Sequence, residues 1–172
     1  DPDISPGGKR MVRVRNGLHQ SWVEVSHFIN ESEDCKTKCF DKPTVIVPAH
    51  GDMQHASPRF SPDGTMIALS SWFPGGHRDI MIVDSTTGVI LDRVTEDRAL
   101  DGNPTWSPDG RYVLFDSDRD GIFNIYAYDL ESKKQARVTR VVGGAFQPDV
   151  SPKGEAILFR NASGIGFDIH EM

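Results

Sequence analysis

The sequence predicts an all-β fold that is assembled from one repeated unit, and two observations support this prediction. The first is the composition, because 16 Gly and 11 Pro among 172 residues exceed the usual share of turn-forming residues. Apolar residues occur in short runs rich in Val, Ile, Phe and Tyr, which is typical of short strands and not of long helices. The second observation is a motif that recurs along the chain.

Four segments share the pattern Pro, any residue, a large apolar residue, Ser-Pro, any residue and Gly. They occupy residues 2–8, 58–64, 104–110 and 148–154, and their serines are 56, 46 and 44 residues apart. Proline presets φ at the second position of a turn, and glycine accepts a positive φ near its end. Each copy is therefore expected to end one strand, form a tight turn and start the next strand.

Strand-like segments follow every copy at comparable distances. The second strands are expected at 11–14, 66–69, 112–115 and 156–159. The third strands are expected at 22–27, 79–84, 124–129 and 168–172, and the first three copies carry a fourth apolar segment. Four strands in a unit of about 45 residues are typical of a β-propeller blade.

We therefore interpret the chain as a single β-propeller fragment with blades near 1–57, 58–103, 104–147 and, in part, 148–172. About three complete four-stranded blades and a partial fourth predict an arc of a larger propeller, since closed propellers have typically four to eight blades. The alternative is a four-bladed ring that lacks one outer strand. In both cases open strand edges need to be covered by the remainder of the propeller or by another chain.

The repeated motif resembles the PD40, or WD40-like, repeat of TolB-type propellers. The segment Ser117-Asp118-Arg119-Asp120-Gly121 is similar to a hairpin of that repeat, and the resemblance covers the chain except residues 28–43. The first and last copies depart from it at Gly7 and Lys153, where the usual residue is Asp.

The resemblance implies a non-catalytic scaffold that binds a protein or peptide, in the periplasm or as a secreted protein. Related repeats also form the propellers of prolyl-oligopeptidase-type and tricorn-type peptidases and of lyases with a metal in the channel. The alternative is therefore the propeller domain of a larger enzyme whose catalytic residues lie elsewhere.

The net charge, the short apolar runs and the absence of catalytic motifs argue against several classes of function. The formal net charge of −6 argues against a nucleic-acid partner, because phosphate contacts need clustered cations. The apolar runs are too short for insertion into a membrane. The chain has neither a G-x-S-x-G nucleophile elbow nor a phosphate-binding loop, so we predict no catalytic residue and no cofactor.

The candidate binding residues lie in loops between blades. Alignment by the motif prolines places His55 and Asp101 at the same position of consecutive blades, and His50 and Asp52 precede His55 in one polar loop. These four side chains are expected to converge near the mouth of the central channel. Imidazole and carboxylate groups suit Zn²⁺ or Mn²⁺, but the spacing fixes no third ligand, so we predict no metal site. The alternative is that they are solvated loop residues.

A second candidate is the aromatic pair Trp72 and Phe73, which occupies a hairpin loop. Exposed aromatic pairs at loop tips suit recognition of a partner, and burial against the neighbouring loop is the alternative. The segment 116–121 matches the start of a calcium loop, but Ala127 stands where a bidentate Glu is needed. We therefore interpret that segment as a hairpin turn.

The two cysteines of the chain, Cys35 and Cys39, lie in a polar insertion between Phe28 and Pro43. A local disulfide between them is the favoured interpretation and would imply an oxidising compartment. The alternative is two free thiols on an exposed loop.

Overall fold

The computed structural model describes residues 1–29 and 39–172, and within these ranges the chain forms strands β1 to β16 in four antiparallel sheets. The predicted all-β fold is confirmed, and the four sheets, each of which carries one copy of the repeated motif, are called blades 1 to 4 in chain order. Among the described residues there is no helix that is long and apolar enough to cross a membrane.

Blade 1 contains the strands that surround the insertion. They are β1 (Asp3–Ile4), β2 (Arg10–Asn16), β3 (Ser21–Ile29), β4 (Cys39–Phe40) and β5 (Thr44–Val47). The sheet follows the order β1-β2-β3, and both β4 and β5 pair with β3.

Blades 2 and 3 each have four strands in sequential order. Blade 2 is formed by β6 (Gln54–Phe60), β7 (Met66–Phe73), β8 (His77–Asp84) and β9 (Ile90–Arg93). Blade 3 is formed by β10 (Gly102–Trp106), β11 (Tyr112–Ser117), β12 (Asn124–Asp129) and β13 (Lys134–Arg137). Blade 4 has the three strands β14 (Ala145–Val150), β15 (Ile157–Ser163) and β16 (Gly166–Glu171).

The first strand of blades 2, 3 and 4 carries a β-bulge at the same place. The bulge is centred on Ser57, Asn103 and Gln147, whose φ angles are 49°, 48° and 52°, and a motif proline follows each of them. One extra residue on the first strand stands opposite the second strand at each bulge, which redirects the side chains that precede it.

The core lies between adjacent blades, which explains why the second strands are apolar on both faces. In β7, Ile67 and Leu69 pack against blade 1, whereas Ala68 packs against blade 3. The interface between blades 2 and 3 also buries Trp106 and Phe115, at 7% and 0% exposure. This alternation is the consequence of side chains that point to opposite faces along a strand.

The Ser-Pro-Asp-Gly turn is held by its own side chains. The Ser61 hydroxyl donates to Asp63 Oδ1 at 2.6 Å and accepts a hydrogen bond from the Met66 amide at 2.9 Å. Gly64 closes the turn with a φ of 74°. Ser107 and Asp109 form the same contacts in blade 3, so the usual aspartate has a structural role in the turn.

Hydrogen bonds also join the first strands of neighbouring blades. Asp3 Oδ2 accepts from the Phe60 amide at 2.7 Å, which links blade 1 to blade 2. Trp106 Nε1 donates to the Arg59 carbonyl at 3.0 Å, which links blade 3 to blade 2. These bonds fix the first strands of adjacent blades relative to one another.

Candidate binding surface

The four residues that the sequence predicts to converge differ in how buried they are. His50 and Asp52 are exposed in the loop between β5 and β6, whereas His55 and Asp101 are buried in blades 2 and 3. The described contacts include none that joins His55 to Asp101. A binding role for these residues stays a prediction.

His55 and Asp101 do occupy equivalent positions, and each faces a serine of its own blade. His55 Nδ1 lies 2.7 Å from Ser71 Oγ, while a hydrogen bond from Ser117 stabilises the Asp101 carboxylate. Burial lowers the pKa of His55 to about 4, so the imidazole is neutral at pH 7. Its Nε2 atom has no hydrogen-bond partner among the described residues.

Asp101 is bound by an arginine from the next hairpin of blade 3. Arg119 Nη2 lies 3.1 Å from Asp101 Oδ1 and 3.2 Å from Oδ2, and Asp97 Oδ2 is 3.5 Å away. The guanidinium also lies over the rings of Phe115 and Tyr126, at 5.5 and 4.8 Å from their centroids. Arg119 thereby joins blade 3 to the loop that leaves blade 2.

Three carboxylates converge beside this arginine. Single oxygens of Asp79, Asp97 and Asp101 lie within 4.8 Å of one another. Burial raises the pKa of both Asp79 and Asp101 above the usual range. Asp79 Oδ1 already accepts from Thr95 Oγ1 and from the Asp97 amide, both at 3.2 Å. The guanidinium of Arg119 supplies the positive charge that a cation would supply in such a cluster.

The aromatic pair is split between the two faces of β7. Phe73 is half-buried against the core between blades 1 and 2, with the guanidinium of Arg93 at 5.8 Å from its ring. Trp72 points to the other face and remains 37% exposed. Because alternate residues of a strand face opposite sides, the two rings do not form one joint patch.

Trp72 lies beside a second arginine that is fixed from several sides. The Arg78 guanidinium is 5.3 Å from the centroid of the Trp72 ring, and Arg78 Nε donates to the Asp101 carbonyl at 2.9 Å. Arg78 Nη2 lies 3.8 Å from the buried Asp116 Oδ1, whose pKa is raised by burial. A side chain at Gly102 would collide with this guanidinium, since its Cβ would lie 2.3 Å from Nη2.

The calcium-like segment has its own partners. Asp118 Oδ1 accepts from the Leu100 amide at 2.8 Å, and Asp120 Oδ2 binds Tyr126 Oη at 2.5 Å and Arg137 Nη1 at 2.8 Å. The Asp118 bond holds the hairpin between β11 and β12 against the loop from blade 2, and the Asp120 bonds hold it against β12 and β13 of its own blade. Sequence reasoning assigned this segment to a turn but missed the contacts of Arg119 with the loop that connects blades 2 and 3, because no local pattern encodes them.

A polar cleft of about 380 Å³ adjoins the buried cluster. Phe73, His77, Arg93, Glu96 and Arg98 line it, together with Asp79 and Asp97. Trp72 stands on the opposite face of β7 from Phe73. The Trp72 ring and this cleft therefore lie on either side of one hairpin and define the candidate surface.

The predicted disulfide involves Cys35, which lies outside the described residues. The backbone of Cys39 belongs to β4. The oxidation state of the pair stays a prediction.

Successive antiparallel sheets, each starting with one copy of the repeated motif and having four strands in blades 2 and 3, are typical of the class of β-propeller proteins. The TolB β-propeller domain model, PD40, matches residues 1–172, and the chain belongs to this family.

Three comparisons show the range of proteins that contain similar propellers. The Tol-Pal system protein TolB of Francisella tularensis is 35% identical over 165 residues, which span 69% of this chain and 38% of TolB. The uncharacterised peptidase YuxL of Bacillus subtilis is 33% identical over 121 residues, or 66% of this chain and 18% of YuxL. The crystal structure of TolB from Acinetobacter baumannii aligns with a TM-score of 0.81 at 23% identity, over 99% of this chain and 40% of that chain. The chain thus spans less than half of each of these proteins.

Proposed function

We propose that the chain is part of a non-catalytic propeller scaffold that binds a protein or peptide in the cell envelope or in a secreted complex. The binding surface is the β7–β8 hairpin, with the Trp72 ring on one side and the cleft lined by His77 and Arg93 on the other. The exposed Trp72 ring, held over a fixed arginine, is the observation that carries this proposal.

The Trp72 platform has the properties of an interface anchor. Large aromatic side chains and arginines dominate binding energy at protein interfaces, especially where little entropy is lost on binding. Arg78 is held by Asp101 and faces Asp116, so the surface beneath Trp72 is already ordered before a partner arrives. The mixed charges of Arg93, Glu96 and Arg98 in the neighbouring cleft suit the polar rim of such an interface.

The buried charges of this region favour a scaffold role. Arg119 is bound to Asp101, and Asp79 is occupied by Thr95 and the Asp97 amide. These hydrogen bonds hold both ends of the loop that connects blades 2 and 3, which makes the surface rigid. A location in the envelope is the one that the resemblance to TolB-type propellers implies.

The test uses the full-length protein with a photo-crosslinking residue in place of Trp72, and a second preparation with the same residue at Val89. Val89 is 60% exposed in the turn at the opposite end of blade 2 and serves as the matched control. A partner identified at position 72 is then purified and titrated. Trp72→Ala is expected to weaken its binding by about tenfold or more, and Val89→Ala by less than about twofold. Equal crosslinking at both positions, or an unchanged affinity of Trp72→Ala, would contradict the proposal.

The second candidate is the propeller domain of a larger peptidase. The 33% identity to YuxL over 66% of this chain favours it. This candidate requires a hydrolase domain elsewhere in the full-length protein, and labelling by an active-site-directed serine-hydrolase probe would detect it. Absence of both the domain and the labelling would remove this candidate.

A further inference from the structure

The interface between blades 3 and 4 differs from the preceding interface in how well it is filled. A cleft of about 670 Å³ lies between these blades. Its apolar walls include Leu114, Ala127, Val138, Val150 and Ile157. This volume falls within the range of about 300–1,000 Å³ that is usual for small-molecule sites.

The cleft arises because large residues of the repeat are replaced by small ones. Val150 occupies the motif position at which blade 3 has Trp106, and Ala127 occupies the position at which blade 2 has Ile82. Trp106 and Ile82 are 7% and 1% exposed in the interface of blades 2 and 3. Leu114 replaces the smaller Ala68, yet it does not close the gap.

The burial of the remaining walls shows that the cleft opens to solvent. Val94 and Val113 are 3% and 0% exposed at the well-filled interface. Their equivalents Val138 and Ile157 are only half-buried. An apolar wall that is both concave and accessible is the usual property of a ligand site.

A second departure from the repeat lies at the rim of the same cleft. The turn of blade 4 has Lys153 where Asp109 stands in blade 3, and both residues line the cleft. The Asp109 carboxylate is occupied by the Ser107 hydroxyl and by the Arg111 amide. Lys153 is exposed and forms no hydrogen bond or ion pair with any residue in the described ranges. The rim therefore carries one free positive charge beside an apolar cavity.

We propose that this cleft binds a small amphipathic carboxylate. Its hydrocarbon body would lie against Ala127, Val150 and Ile157, and its carboxylate would bind the ammonium group of Lys153. A charged hydrogen bond of this kind fixes the orientation of the ligand, whereas burial of the hydrocarbon provides most of the affinity. The two departures from the repeat, at Val150 and Lys153, thus serve one site.

The test uses decanoate below its micelle concentration with the full-length protein, followed by calorimetry and by the methyl NMR signals of the cleft. We expect saturable binding with one ligand per chain and shifts of the Val138, Val150 and Ile157 methyl signals. Lys153→Asp, which restores the repeat, is expected to weaken binding by about tenfold. Lys134→Asp, an exposed lysine on β13, is the charge-matched control and should change affinity by less than about twofold.

Val150→Trp, which restores the residue of blade 3, is expected to abolish binding because the indole fills the cavity. If this variant does not fold, Lys153→Asp decides the matter, since it alters only an exposed side chain. Methyl decanoate should bind about tenfold more weakly than decanoate to the unmodified protein. The proposal is overturned if decanoate does not bind saturably. This result is expected if other parts of the full-length protein fill the cleft. Equal affinity of the acid and the ester, or of the unmodified protein and Lys153→Asp, would overturn it as well.

Discussion

Arg119 Nη2 lies 3.1 and 3.2 Å from the two carboxylate oxygens of Asp101, and the side chain of Asp101 is completely buried. The two residues come from the β11–β12 hairpin and from the loop that connects blade 2 to blade 3. A carboxylate in this position would be costly without its partner, since an unpaired buried charge loses its hydration. The pair therefore holds the loop that connects blades 2 and 3 against the β11–β12 hairpin.

Removal of this arginine is expected to destabilise the protein strongly. Arg119→Met should lower the free energy of unfolding by about 3–5 kcal/mol, because Asp101 is left buried without its counter-charge. Urea denaturation at pH 7 measures the effect. The double variant Arg119→Met/Asp101→Asn should recover part of the loss, since the buried charge is gone.

The control for this prediction is Arg111→Met. Arg111 forms an ion pair with Asp129 at 2.8 Å, but its side chain is 47% exposed, so we expect a much smaller loss. A similar loss for the Arg111 and Arg119 variants would contradict the prediction.

His55 is expected to make stability depend on pH. Burial lowers the pKa of His55 to about 4 from its ordinary value of 6.5, so between these values the unfolded chain binds a proton that the folded protein does not. Stability therefore falls as the pH decreases through this window, by about 2 kcal/mol between pH 7 and pH 5. His55→Gln should remove this part of the pH dependence in urea denaturation. His50→Gln, in the exposed loop, should retain the fall of the unmodified protein, and an equal slope for both variants would refute the assignment.

Gly88 marks a close approach between blades 1 and 2. Its φ is 71°, and a Cβ atom there would lie 1.8 Å from the Ile46 carbonyl oxygen. Gly88→Ala is expected to lower the free energy of unfolding by about 3 kcal/mol, through backbone strain and displacement of β5. Thermal and urea denaturation would measure this loss.

Gly51→Ala is the matched control, since Gly51 also has a positive φ of 55° but has no atom within 4 Å of the new Cβ. Its loss should be about 1 kcal/mol, and a loss as large as that of Gly88→Ala would contradict the steric explanation.

Trp106→Val should reproduce, between blades 2 and 3, the gap that exists between blades 3 and 4. The indole is 7% exposed and its Nε1 donates to the Arg59 carbonyl. We expect a loss of about 3–5 kcal/mol in the free energy of unfolding, from lost packing and the cavity that remains. Trp72→Val, at the half-exposed tryptophan of β7, should cost far less. If both variants lose the same stability, Trp106 is not the packing anchor that its burial indicates.

Much of the fold could be predicted from the sequence, because the signals for it are local and repeated. The Ser-Pro-Asp-Gly turn needs only residues within five positions, as the contacts of Ser61 with Asp63 and Met66 show. Repetition then identified the equivalent strands of all four blades. The equivalence of His55 and Asp101 followed from the same alignment, and each does face a serine of its own blade.

The arrangement of the candidate surface could not be predicted in the same way. The burial of His55 depends on the bulge at Ser57, which redirects the first strand. The sequence motif does not predict this bulge. The contact of Arg119 with Asp101 joins residues that are 18 positions apart in the chain, so it depends on how the loop before β10 folds against the β11–β12 hairpin. The placement of Trp72 and Phe73 on opposite faces could be predicted from the alternation of side chains along a strand, but only if β7 was known to extend to Phe73.

The bulge that precedes each motif proline determines which insertions and deletions the protein can tolerate. It locks the alignment of the first and second strands at Ser57, Asn103 and Gln147, so an added or deleted residue upstream cannot slide the sheet. The spacing between successive motifs can therefore vary while the blades keep their geometry. Mutation is free to lengthen, shorten or exchange the connecting segments, and a new specificity can be acquired without rebuilding the frame that carries it.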